Sequence, residues 1–137
     1  MILGMPEKIF AESVFTEKNV DAKTSMIFQY ANGAIANLSC SMYDTQPNRA
    51  VIAGTKGFIE IDPTFYAPTS MRLCTNDGKI SVYKNKYEGH GLREQAIEME
   101  YCVKNNLNES PKMLHQESLE VIEIMDKVRA KIGLEFK

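Results

Sequence analysis

The sequence predicts an α+β fold, a largely antiparallel open β-sheet followed by two C-terminal helices packed on one of its faces. Three observations carry this expectation. From about residue 7 to 84 the segments are short, β-branched or aromatic, and separated by turn signals at Asn32-Gly33, Gly54 to Gly57 and Asn76-Asp77-Gly78. After Gly89-His90-Gly91 the apolar period becomes that of a helix. Strands grouped first and helices grouped last put the helices to one side of the sheet. No internal repeat or low-complexity linker interrupts the chain, so its 137 residues are expected to form one domain spanning 1–137.

The clearest local signal is VDAKTSMIFQYANGAIANLSCSMY, residues 20 to 43. A two-residue Asn32-Gly33 connection predicts a type I′ hairpin and fixes its register. That register sets Ile27 opposite Leu38, with Ala34, Ala36 and Cys40 on the same face. Tyr30 then lies opposite Ile35, beside Phe28 and Met26 on the other face. Both faces become partly apolar, and two helices can cover only one of them. The second face then needs a second domain, a second subunit or a ligand, or else cover from loops or the 62–75 segment.

Further along, AVIAGTKGFIEI (50–61) carries two glycines that could hold a phosphate or turn the chain. A phosphate loop opens a helix, whose aligned N–H groups receive the anion. Here the β-rich Phe58-Ile59-Glu60-Ile61 follows, so Gly54-Thr55-Lys56-Gly57 is a tight reversal between two strands. Residues 62–75 hold one strand or none. The first helix shows Leu92, Ala96, Met99 and Val103 at helical spacing and gives out at Asn105-Asn106. Past Glu109-Ser110-Pro111 a second helix carries the stripe Leu114, Val121, Met125, Val128 and Ile132. Glu123 can pair with Lys127, Lys131 falls in the last turn, and Gly133 ends the run. The Met and aromatic residues of both helices are expected in the core.

Composition excludes several functions. A net charge of -2 offers no basic field for duplex nucleic acid. The apolar runs are too short to span a membrane, and no basic region precedes the opening MILGM as a signal peptide requires. Cys40, Cys74 and Cys102 are odd in number and lack metal-ligand spacing, which suits reduced, buried thiols and a cytoplasmic location. His90 and His115 sit in no Cys/His cluster, so no metal site is expected. There is no G-x-S-x-G, no GKS/T and no G-x-G-x-x-G. Asp44, Glu88 and Glu94 could pair for acid–base work, but among eighteen acids chance pairs are common, and solvated surface is the expected place for most of them.

The ordered set PEKIF (6–10), IFQYANGAIANLSCSM (27–42), IAGTKGFIEI (52–61), YEGHGL (87–92), ESP (109–111) and SLEVIEIMDKVRAKIGLEF (118–136) resembles the C-terminal domain of the Gfo/Idh/MocA oxidoreductases. Within that family it is most similar to the dihydrodiol dehydrogenase branch, which shares the Gly-Thr-Lys-Gly turn and the Glu-Ser-Pro step. The resemblance implies a two-domain parent enzyme. Its N-terminal Rossmann domain would bind NAD or NADP and carry the catalytic Glu-Lys-Pro lysine. An Asp-x-Gly-x-Tyr or His motif would lie on a helix just before the segment matching MILGMPEKIF. Neither motif occurs here, so the chain is expected to begin just past the chemistry, with Met1-Ile2-Leu3-Gly4 as the last turn of that helix.

The resemblance therefore implies no catalytic, cofactor-binding or metal residue on this chain, and no activity from it alone. It implies a substrate-side domain for a sugar, polyol or dihydrodiol-like small molecule, and a homodimer through the open sheet face. The pocket candidates are Tyr87 and His90, on a loop that resembles one approaching the substrate in relatives, and Phe65 and Tyr66. Val14 stands where dihydrodiol dehydrogenases place arginines, so an identical substrate is not implied. The alternative is a free-standing sheet-based dimerisation or ligand-binding module without redox activity.

Overall fold

The computed structural model describes residues 2–67, 69–86 and 91–135. Among them run seven strands and two helices: β1 (Lys8–Phe15), β2 (Asp21–Gln29), β3 (Ile35–Ser41), β4 (Ala50–Gly54), β5 (Gly57–Ile61), β6 (Met71–Thr75), β7 (Ile80–Tyr83), α1 (Leu92–Lys104) and α2 (His115–Ile132). The class is α+β, with antiparallel strands first and helices last. The strands form two sheets, ordered β1-β2-β3 and β4-β5-β6-β7. The chain divides into two compact units, Met1–Thr45 with Pro111–Lys137 and Gln46–Ser110.

In the first unit, the β2–β3 hairpin corrects the expected register. Asn32 keeps a negative φ while Gly33 sits at φ 82°, so a type I′ turn, which needs both positive, does not form. Instead Gly33 N donates to Tyr30 O at 2.9 Å and Tyr30 N donates to Ala34 O at 3.0 Å, closing a three-residue connection with glycine in its left-handed position. The extra residue shifts the pairing by one: Met26 faces Leu38, Phe28 faces Ala36 and Gln29 faces Ile35. A one-residue shift exchanges faces. Met26, Phe28 and Tyr30 therefore join Ala34, Ala36, Leu38 and Cys40 on one apolar face, which Ile9 and Ala11 of β1 extend. Phe10, Val14, Ile27 and Ile35 remain exposed on the opposite face among Lys8, Glu12, Ser25 and Asn37.

α2 covers part of the apolar face. Val128 packs with Ile9, Phe28 and Tyr30, and Ile124 and Met26 lie against this cluster. The helix ends as its sequence predicts, with Arg129 and Lys131 in the last turn and Gly133 at φ 71°. Glu123 and Lys127 pair one turn apart at 2.6 Å. The helical turn expected at the N-terminus is absent among the described residues, because residues 2–7 are irregular. Gly4 alone keeps the left-handed φ of 73° expected after a helix end.

In the second unit, Gly54 pairs with Gly57 across the two-residue Thr55-Lys56 loop, the reversal the glycines predict. β6 fills the 62–75 stretch with one strand, and Asn76-Asp77-Gly78 turns it into β7 through Thr75 N to Lys79 O at 3.0 Å. α1 ends at Asn105, and Asn106 takes φ 54°. Its facing, however, departs from the expected stripe. Leu92, Met99 and Val103 are exposed, while Glu94, Glu98 and Cys102 turn inward. The polar segment after the helix sets this facing: Ser110 Oγ donates to Glu98 Oε1 at 2.6 Å, and Cys102 Sγ lies 3.8 Å from Glu109 O. Of the cysteines expected to be buried, Cys102 is, Cys74 is half-buried and Cys40 is exposed.

Candidate functional site

Three surfaces could carry function, each built within one unit. The connection between β5 and β6 holds the first. Asp62 N donates to Ser70 O at 2.9 Å, Phe65 N to Asn48 O at 3.1 Å and Ala67 N to Thr64 O at 2.9 Å, so the backbone on both sides of the aromatic pair is fixed. The Phe65 and Tyr66 rings meet edge to face, with centroids 5.4 Å apart and planes 82° apart. Tyr66 is 71% exposed. A held aromatic pair facing solvent can receive a flat or cyclic ligand. Phe65 and Tyr66 are thus brought together, while Tyr87 and His90 lie outside the described residues.

Beside it runs a chain of charges that the sequence reading missed. Glu60 and Arg72 are cross-strand partners. Arg72 Nη2 donates to Glu60 Oε2 at 2.9 Å and reaches Asp62 Oδ1 at 3.4 Å, and Arg49 Nη1 donates to Glu60 Oε1 at 3.1 Å. The Nε of Arg72 is buried without a hydrogen-bond partner. The available signal was the lone charge inside each apolar strand, Glu60 in GFIEI and Arg72 in MRLCT. A charge alternating with apolar residues marks a shared face, but its partner depends on strand register.

The third surface is a groove of about 590 Å³ between α2 and the β1-β2-β3 sheet, lined among others by Met26, Phe28, Leu38, Cys40, Val121 and Met125. It is almost wholly apolar. Of the candidate carboxylates, Asp44 and Glu94 each have other partners, and Glu88 lies outside the described residues. Asp44 accepts from Lys23 Nζ at 2.9 Å and Ser41 Oγ at 3.0 Å. First the Lys23 hydrogen bond and then that from Ser41 hold its carboxyl below the usual value. Glu94 accepts from Arg93 at 3.2 Å, and its Oε2 is buried without a partner. No cluster of three His, Cys, Asp or Glu residues fit for a metal occurs among the described residues. No helix among them is long and apolar enough to cross a membrane.

Residues 1–60 match the GFO/IDH/MocA C-terminal domain. Over those residues the chain is similar to the C-terminal domains of the Gfo/Idh/MocA oxidoreductases. More particularly, it is 32% identical over 136 residues to the trans-1,2-dihydrobenzene-1,2-diol dehydrogenase of Xenopus tropicalis, covering 96% of this chain and 41% of that protein. The enzyme of the same name from Mus musculus is 31% identical, covering 99% of this chain and 43% of its own length. The chain thus spans about two fifths of the curated relatives it matches.

Solved structures share the fold at lower identity. The aldose-aldose oxidoreductase of Caulobacter crescentus, complexed with glycerol, matches with a TM-score of 0.76 at 19% identity, over 95% of this chain and 40% of its own. The UDP-N-acetylglucosamine 3-dehydrogenase of Acidithiobacillus ferrooxidans matches with a TM-score of 0.78 at 14% identity, over 94% of this chain and 41% of its own.

Proposed function

We propose that this chain is the substrate-side and oligomerisation domain, residues 1–137, of an NAD(P)-dependent oxidoreductase acting on a sugar, polyol or dihydrodiol-like substrate. The observation that carries the reading is the pattern of coverage: nearly all of this chain aligns with about two fifths of a dehydrogenase. Hydride transfer needs a nicotinamide held at a βαβ phosphate site, and this sequence contains no glycine-rich strand-to-helix motif that could build one. The nicotinamide, the catalytic lysine and the proton donor therefore belong to an N-terminal Rossmann partner domain. This chain contributes the far wall of the substrate pocket, with Phe65 and Tyr66, Tyr87 and His90 as the lining residues. Alone it is inactive, and it resides in the cytoplasm.

A homodimer through an open sheet face completes the proposal. Val51, Phe58, Ile80 and Val82 are all exposed on one face of the β4-β5-β6-β7 sheet, around the Glu60–Arg72 pair. That face equally supports the rival reading, a free-standing assembly module without redox activity. Two measurements separate the readings. The coding region before Met1 should encode a glycine-rich Rossmann motif and a Glu-Lys-Pro within about 170 residues, one domain length. The protein carrying that region should reduce NAD or NADP with a cyclic trans-diol, while the 137-residue chain gives no turnover. A stop codon in that region, or nicotinamide turnover by the short chain, would overturn the proposal.

A further inference from the structure

We draw no further inference here: the strongest candidate, the apolar groove between α2 and the β1-β2-β3 sheet in the first unit, carries nothing because nothing in the structure shows what covers it.

Discussion

At the scale of single residues, backbone geometry is demanding at two glycines for different reasons. Gly57 has φ 147°, and a Cβ placed there would meet Cys74 O at 2.2 Å and Thr75 Cα at 2.8 Å. Those atoms are backbone of the neighbouring strand, so relief requires moving β6. Gly33 has φ 82° but open space around its missing side chain. Gly33→Ala is expected to cost only the left-handed conformation, about 1–2 kcal/mol. Gly57→Ala adds a steric clash and should cost about 3 kcal/mol or more, or prevent folding. Urea denaturation of both variants checks the order, and a Gly57→Ala protein as stable as Gly33→Ala would show the reversal to be looser than described. Asp44 offers a second test, in pH. Its carboxyl is held below 3.8 by the Lys23 hydrogen bond first and the Ser41 bond second. A depressed carboxylate stabilises the fold above its unfolded value and loses that contribution as pH falls through the folded one. The Asp44 carboxyl carbon should therefore titrate below 3.8 by NMR, and Lys23→Met should move the midpoint back up. An unchanged midpoint would assign the depression to Ser41 alone.

At the scale of elements, what the sequence made legible follows from which interactions are local. The ends of α2 and the stop of α1 at Asn105-Asn106 depend on residues within one turn, and both lie where the sequence indicates. Asn32-Gly33 marks a reversal correctly, but a reversal can take two residues or three. The third, Ala31, moves Met26 and Phe28 onto the face of Ala36 and Leu38. Helix facing is nonlocal too: nothing in LREQAIEMEYCVK announces that Ser110 will hold Glu98. Of the candidate surfaces, the Phe65–Tyr66 pair was legible in the sequence, while the Arg49–Glu60–Arg72 chain requires strand pairing to exist. Two substitutions test the facing. Val128 lies in the cluster with Ile9, Phe28 and Tyr30, so Val128→Ala should cost about 2 kcal/mol from lost burial and a partial cavity. Met99, 66% exposed on the outer face of α1, should accept Gln within about 0.5 kcal/mol. Equal losses in thermal or urea unfolding would return Met99 to the core and reverse the facing assigned to α1.

At the scale of the whole molecule, burial is sparse. Pro6, Ile9, Ala22, Phe28, Tyr30, Cys102 and Val128 are the buried apolar residues among those described, against many large apolar side chains left in water. Soluble chains seldom leave so much apolar surface unpaired, so association is the expected outlet. Its strength can be bounded. Four strands spaced about 4.8 Å apart and about 17 Å long present about 300 Å² in projection. A standard stable interface buries about 800 Å² on each partner. Pairing through the β4-β5-β6-β7 face alone is therefore weak, and the dimer should form in a concentration-dependent way. Phe58 lies in a cross-strand row with Ala53 and Cys74, and Ile80 extends that row on β7. Phe58→Glu with Ile80→Glu would place two carboxylates on the face of each copy, so association through that face would bring like charges together and desolvate them. Sedimentation equilibrium over a range of concentrations should show reversible dimerisation of the unaltered chain and a monomeric variant, with circular dichroism unchanged. A chain that stays monomeric throughout, or a folded variant that still dimerises, would remove this face as the subunit contact.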